Sequence, residues 1–147
     1  MDVQLPLSAQ AIIETLKMER HPEGGWYIQT FKDEAGGSRG HSTAIYYLLE
    51  RGDRSHWHRV RDAVEVWHFY AGAPLSLSIA GDGRPAETLT LGSNIALGER
   101  PQAIVPADRW QSATSLGSWS LVGCTVSPGF DFSAFEMAPA DWQPPET

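Results

Sequence analysis

Two histidines and one glutamate are the residues of this sequence whose types and spacing best suit chemistry. His56 and His58 are separated by a single residue. Because side chains at positions i and i+2 of a β-strand project to the same face, the two imidazoles are expected to point together if this segment is a strand. An antiparallel neighbour running through residues 64–70 would bring Glu65 towards both of them.

This set of three side chains permits two kinds of chemistry. Two imidazoles and a carboxylate are a common ligand set for a divalent transition metal that keeps positions open for substrate or water. Without a metal, His58 would act as a general base oriented by Glu65, an arrangement suited to isomerisation or epimerisation next to a carbonyl. A third interpretation involves no chemistry, with one histidine buried and hydrogen-bonded and Glu65 facing solvent. The spacing alone leaves all three open.

One helix is predicted before the strands that would position these residues. Ser8 is a good N-cap, and apolar residues follow it at helical spacing. The His21-Pro22 pair then disfavours helical dihedral angles. The pattern predicts a helix within residues 7–20 that ends close to Arg20.

Nine short segments rich in aromatic and β-branched residues follow, separated by glycine, proline and aspartate. This pattern predicts an all-β sandwich or barrel. Residues 130–137 are read as either a strand or a short helix that covers one face. The tail, residues 138–147, is expected to fray unless Trp142 docks on the body. The predicted strands are 26–31, 43–49, 55–60, 64–70, 75–79, 87–91, 103–105, 109–114 and 118–126.

Composition excludes several partners and compartments. A chain of 147 residues is expected to form one domain. A formal net charge of -7, with no run of Lys or Arg, argues against nucleic acid as a partner. Cys124 is the one cysteine, so no internal disulfide is expected. The apolar stretches are short and the first residues lack a signal-peptide pattern, which favours a cytoplasmic protein without a membrane span.

Five motifs in order resemble the DUF985 (cupin_5) group of the cupin superfamily. The resemblance implies a cupin-type jelly-roll β-barrel, usually a homodimer, with a small-molecule pocket inside the barrel. Residues 1–147 would then form a single cupin domain, with the helix at 7–20, the barrel at 24–137 and the tail at 138–147. The motifs are HPEGGWY (21–27), SHWHRV (55–60), EVWHFYAG (65–72), PQAIVPA (101–107) and LVGCTVSPGF (121–130).

The resemblance also implies a ligand set. In cupins generally, a first motif supplies two histidines and a glutamate, a second motif supplies a further histidine, and the four bind iron, manganese, nickel or zinc. By position these residues would be His56, His58 and Glu65, with Gln111 standing where the last histidine is expected. An amide oxygen is a weaker ligand than imidazole for such metals, so this departure favours a site without metal.

Four residues are expected around the bound ligand, namely Trp67, His68, Trp110 and Gln111. Aromatic side chains suit the lining of a pocket that stacks on rings or sugars. Simple alternation places His68 on the face opposite Glu65, unless a β-bulge after Asp62 reverses the faces.

The sequence is therefore compatible with two functions. One is an enzyme that acts on a small metabolite inside the barrel, as a sugar-type isomerase or epimerase or by metal-dependent chemistry. The alternative is a non-catalytic module that binds a small ligand, which the glutamine at position 111 favours. The sequence has no P-loop, no dinucleotide-binding glycine pattern and no serine nucleophile elbow, so ATP, NAD and acyl-transfer chemistry are not expected.

Overall fold

A computed structural model describes residues 7–147 of the chain. Helix α1 covers Ala9–Leu16, and the Ser8 hydroxyl caps it by accepting a hydrogen bond from the Ala11 N–H at 3.1 Å. The helix is shorter than predicted. It ends where Lys17 adopts a left-handed conformation with φ of 58°, which turns the chain towards a first short strand.

Eleven β-strands are found among the described residues, all in antiparallel ladders. All nine predicted strands are confirmed to within two residues. The segment left open as strand or helix contains both, a 3-10 turn at Phe132–Ala134 followed by β11. The strands are β1 (Glu19–Arg20), β2 (Trp26–Lys32), β3 (Thr43–Glu50), β4 (Arg54–Val60), β5 (Val64–Gly72), β6 (Leu75–Ala80), β7 (Glu87–Leu91), β8 (Gln102–Val105), β9 (Trp110–Ser115), β10 (Trp119–Ser127) and β11 (Phe135–Met137).

The strands form two sheets packed face to face. The larger sheet has the order β1-β2-β3-β10-β5-β8, and the smaller has the order β11-β4-β9-β6-β7. The all-β jelly-roll prediction is confirmed as a two-sheet sandwich. It is not a closed barrel, because no strand ladder joins the two sheets within residues 7–147. The edge strands β1 and β11 have only two and three residues, too few to complete such a closure.

The space between the sheets is filled at one end and open at the other. On β3, Tyr47 and Leu49 pack in the main hydrophobic core, whereas Thr43 and Ile45 reach a cavity. On β5, Trp67 is likewise in the core and Glu65 is at the cavity. Residues two apart on one strand share the inward face because side chains alternate. Those near one end of the strand pack in the core, and those near the other end line the cavity.

Two further segments cover the outer faces. Ile12 and Ile13 of α1 pack with Leu48 on the outer side of the larger sheet. On the smaller sheet the tail docks through Trp142, whose ring centroid lies 4.9 Å from that of Trp110 and 5.8 Å from that of Trp57. Within residues 7–147 no helix has both the length and the apolar character needed to cross a membrane.

Candidate acid-base site

The open end of the sandwich holds a cavity of about 380 Å³. Polar residues come from the turn before β2 and from five strands. Apolar residues come mainly from β2, β10 and the segment around β11. The polar lining is Glu19, His21, Glu23, Gln29, Thr43, His58 and Glu65, and the apolar lining is Tyr27, Ile28, Ile45, Val60, Cys124, Val126, Phe130, Phe132 and Phe135.

A bulge in β4 decides which of the two histidines reaches this cavity. Ser55 lies opposite Ala113 of β9, and His58 lies opposite Gln111. Two residues of β4 therefore occupy the interval that β9 spans with one, which is the definition of a bulge. Ser55 and His58 consequently share the inner face.

His56 lies outside the cavity, and here the structure differs from the prediction that both imidazoles point together. Its Nε2 contacts the carbonyl oxygens of Ala138 at 3.1 Å and Pro139 at 3.0 Å. The alternation rule assumes a regular strand, and the extra residue of the bulge removes that regularity. His56 ties the tail to β4, whereas His58 lines the cavity.

His58 forms a buried ion pair with Glu23. Its Nε2 lies 2.9 Å from Oε2 of Glu23, and the two side chains are 3% and 6% exposed. Its Nδ1 lies 2.7 Å from the carbonyl oxygen of His56, which can only accept, so Nδ1 carries a proton as well. Burial alone would lower the pKa of His58, but the Glu23 carboxylate outweighs it and raises that pKa to about 9. In return, His58 outweighs the effect of burial on Glu23 and lowers the pKa of that carboxyl group.

A tight turn directs Glu23 into the sandwich. The Gly24 N–H donates to the carbonyl oxygen of His21 at 3.0 Å, and the His56 N–H donates to that of Glu23 at 2.8 Å. Gly24 has φ of 110°, and a Cβ there would lie 2.0 Å from the carbonyl oxygen of Arg54, so only glycine fits. Glu23 was not among the predicted site residues. The signal was present in the HPEGGWY motif, where a glutamate stands between a histidine and two glycines.

Glu65 is the second buried carboxyl group at the cavity. Burial raises its pKa, and the neighbouring Glu23 charge adds to the effect while His58 opposes it. The Gln111 amide donates to Oε1 of Glu65 at 2.9 Å, and Trp67 Nε1 donates to the Gln111 amide oxygen at 2.8 Å. This chain of hydrogen bonds fixes the carboxyl group from behind. The pKa values of Glu65 and Glu23 are therefore moved in opposite directions within one cavity.

His21 is a third buried polar group, also missed by sequence reasoning. Burial lowers its pKa, so it is neutral at pH 7. Its Nδ1 accepts a hydrogen bond from the Glu23 N–H at 3.1 Å, which places the ring proton on Nε2. No residue between 7 and 147 pairs with Nε2, and His21 lines the cavity. It is suited to donate a hydrogen bond to a ligand.

Two predicted ligand contacts lie in or behind the core. Trp67 is 1% exposed and packs edge-on against Tyr47, with ring centroids 5.9 Å apart. Gln111 is also 1% exposed, and its amide is used by Trp67 and Glu65. Both face inward as expected, but they support the wall and do not form its surface.

The other two predicted contacts lie on outer faces. His68 hydrogen-bonds Thr125 through Nε2 at 3.0 Å. The pairing of β5 is regular from Val64 to Phe69, and its one register shift lies beyond His68, so alternation turns His68 outward. Trp110 precedes Gln111 on β9 and therefore points to the opposite face, where its Nε1 donates to Asp82 at 3.0 Å. Neither residue lines the cavity.

The predicted metal ligands do not fit a metal ion. Of His56, His58, Glu65 and Gln111, the first faces the tail, and the amide oxygen of the last already accepts from Trp67. Both ring nitrogens of His58 are engaged as well. Across residues 7–147 no three His, Cys, Asp or Glu side chains are arranged to hold a metal. The chemistry that this donor set supports is proton transfer.

Some solved structures are similar to this chain in fold alone, and others are similar in sequence as well. At 14% identity, KdgF from Halomonas sp. matches 79% of this chain and 91% of its own with a TM-score of 0.56. Oxalate decarboxylase from Bacillus subtilis matches at 13% identity, with a TM-score of 0.61 over 80% of this chain and 29% of its own. These two share the fold alone.

Two structures are similar in sequence as well. Protein SO0799 from Shewanella oneidensis is 38% identical, with a TM-score of 0.86 over 90% of this chain and 85% of its own. A hypothetical protein from Leishmania major is 31% identical, with a TM-score of 0.79 over 88% and 86%. No curated protein sequence is significantly similar. The family model described as cupin superfamily (DUF985) matches residues 10–138, and the chain therefore belongs to the DUF985 family of cupins.

Proposed function

We propose that this protein is an enzyme that moves a proton on a small carbonyl-containing metabolite, as an isomerase or epimerase does. The observation that carries the proposal is the pair of buried carboxyl groups beside His58, whose pKa values are moved in opposite directions. Two titratable groups whose pKa values are shifted in opposite directions by their surroundings commonly serve as the acid and the base of a catalytic site.

Glu65 is the group that exchanges the proton. Burial raises its pKa, which is the direction expected for a carboxyl group that exchanges protons near neutral pH. Gln111 holds the carboxyl group through Oε1. In the proposed step the α C–H bond of the substrate breaks, its proton passes to the Glu65 carboxylate, and the electron pair moves to the carbonyl oxygen. The same carboxyl group then returns a proton to carbon.

His21 stabilises the charge that develops on that oxygen. The charge of His58 is paired with Glu23, and this ion pair holds both side chains in place at the cavity wall. His21 offers a neutral Nε2–H donor to the oxygen. Because both ring nitrogens of His58 are occupied, it acts as a positioning residue for Glu23.

A non-catalytic binding module is the second candidate. It is favoured by the existing hydrogen bonds, since His58 pairs with Glu23 and Gln111 pairs with Glu65 without a ligand. In that case the polar groups of the cavity would set only the orientation of a bound molecule.

Solvent deuterium uptake separates the two candidates. Small aldehydes and ketones are incubated in D₂O with the wild-type protein, with Glu65→Gln and with Glu87→Gln, an exposed strand glutamate outside the cavity. We expect enzyme-dependent exchange that Glu65→Gln reduces by about 100-fold or more and Glu87→Gln leaves unchanged. Compounds that bind without exchange would favour the binding module.

The metal-dependent alternative has its own test. The wild-type protein is purified without an affinity tag or chelator, and its metal content is compared with that of a His56→Ala/His58→Ala variant. We expect no stoichiometric iron, manganese, nickel or zinc in either. A metal that is present in the wild type and absent from the variant would overturn the metal-free mechanism.

We also propose that the protein is a homodimer formed through one edge of the larger sheet. Val64 and Tyr70 of β5 and Ile104 of β8 are 40%, 51% and 63% exposed and share the outer face of these paired strands. An apolar surface of this kind at a sheet edge favours a second copy as its partner. Light scattering should give twice the 16.2 kDa mass of one chain, and Ile104→Lys should return it to the monomer.

A further inference from the structure

The charged residues of the cavity are unbalanced. Three glutamates line it, Glu19, Glu23 and Glu65, but the lining contains no lysine or arginine. His58 is the cationic side chain among the described lining residues, and Glu23 already pairs with it at 2.9 Å. An incoming ligand therefore meets unpaired negative charge and no free positive charge.

Aromatic rings form much of the remaining lining. The centroids of Phe130 and Phe132 lie 4.8 Å apart, and Phe135 lies 5.8 Å from each of them. Phe132 is 53% exposed, so this aromatic cluster extends to the solvent. Tyr27 adds a fourth ring to the lining. The face of an aromatic ring carries negative potential and attracts an ammonium group.

An anionic ligand would lose its hydration in this cavity without a compensating partner. Phosphates and carboxylates are normally held by arginine, lysine or a helix N-terminus. The lining supplies none of these among residues 7–147. Placing a second anion beside Glu65 would also add like-charge repulsion, which is a means of rejecting the wrong ligand.

One buried polar group that is left for the ligand is a donor. His21 is 8% exposed, lines the cavity and has no described partner on Nε2. A carbonyl or hydroxyl oxygen on the ligand would satisfy it. The lining therefore favours a ligand with a hydrogen-bond acceptor, an apolar body and a positive charge.

We propose that the cavity takes a small organic cation, an ammonium-bearing carbonyl or hydroxyl compound, and rejects phosphorylated and carboxylate metabolites. This inference rests on the proposed function for the carbonyl group alone. The selection by charge follows from the lining itself.

Binding of three matched probes tests the selection. Benzylamine, benzyl alcohol and benzoate have similar size and differ in charge, and calorimetry or ligand-observed NMR gives their dissociation constants. We expect benzylamine to bind at least about tenfold more tightly than benzoate. Equal or tighter binding of benzoate would overturn the inference, as would the failure of benzylamine to bind at about 10 mM.

Two variant pairs test the residues responsible. Phe132→Leu should weaken benzylamine several-fold and leave benzyl alcohol nearly unchanged, whereas Phe31→Leu, also 53% exposed but outside the cavity, should change neither. Glu19→Gln should weaken benzylamine, with Glu87→Gln as its control. If Phe132→Leu weakens the binding of both benzylamine and benzyl alcohol, the ring has a packing role and the selection by charge is contradicted.

The readouts keep this inference apart from the proposed function. Tight benzylamine binding with no deuterium exchange in any amino ketone would contradict the proposed enzymatic function and support the selection by charge. Deuterium exchange that is faster in a keto acid than in the amino ketone of the same carbon skeleton would support the enzyme and contradict the selection by charge.

Discussion

Nε2 of His58 lies 2.9 Å from Oε2 of Glu23, and this contact joins β4 to the turn that precedes β2. Both side chains are nearly inaccessible to solvent. A buried charge is tolerated when it is paired and hydrogen-bonded, and each partner here shifts the pKa of the other in the direction that keeps the pair ionised.

The stability of the protein should depend on the protonation of His58. Its pKa of about 9 in the folded chain lies above the ordinary 6.5, so the folded state binds this proton more tightly. The resulting stabilisation is fully present below pH 6.5 and is lost as the pH rises through 9. At about 1.4 kcal/mol per pH unit, the loss is about 3 kcal/mol. Urea denaturation at pH 6 and pH 10 measures it.

Two variants serve as references for that measurement. His58→Asn cannot be protonated and should lack this part of the pH dependence. His41→Asn, at an exposed site where 72% of the histidine side chain is accessible, should retain it. An equal decline in wild type and His58→Asn would contradict the raised pKa.

Removal of Glu23 should release the proton of His58. In Glu23→Gln the carboxylate that raises the pKa of His58 is gone, while burial still lowers it. We expect the pKa to fall from about 9 towards the ordinary 6.5. An NMR titration of the imidazole resonances measures the change. In Glu19→Gln, which alters a cavity glutamate without contact to His58, the pKa should stay near its wild-type value, and the idea fails if the two variants behave alike.

Gln111 should contribute to stability through two buried hydrogen bonds. Gln111→Leu leaves Trp67 Nε1 without its acceptor and Glu65 Oε1 without its donor. An unsatisfied buried polar group costs about 1–3 kcal/mol, so the two together should lower the free energy of unfolding by about 2–6 kcal/mol. The exposed Gln102→Leu is the matched control. A loss below that of the control would show that the two groups find other partners.

His56 should stabilise the tail and not the cavity. His56→Ala removes the contacts of Nε2 with the carbonyl oxygens of Ala138 and Pro139. Hydrogen exchange should become faster for the Ala138 amide, which donates to the carbonyl oxygen of Trp57 at 2.9 Å. Benzylamine affinity should not change. His68→Ala, on the outer face of the other sheet, should affect neither, and a loss of ligand affinity in His56→Ala would place His56 at the site.

The strands were predictable because their signals are local. Alternation, β-branched composition and glycine-containing turns act within about ten residues, and all nine predicted strands are present. Alternation also placed His68 on the face opposite Glu65 correctly. The end of α1 was missed because the left-handed turn at Lys17 has no strong residue signal.

The site was only partly predictable. His58 and Glu65 were predicted to lie together, and both line the cavity. His56 was assigned to the same face because the bulge in β4 is visible only in its pairing with β9. Glu23 was overlooked because it lies 35 positions before His58 in the sequence, and no periodicity connects a turn to a distant strand.

The sequence by itself determined the strand segments, the family motifs and the presence of a polar inner face. Only the tertiary structure decided which polar groups meet there: Glu23 in place of His56, and Gln111 behind Glu65 and not on the cavity surface. The physical reason is that strand periodicity specifies a face, while partner choice depends on strand register and on where the two sheets stop touching. Those depend on contacts between residues far apart in the chain.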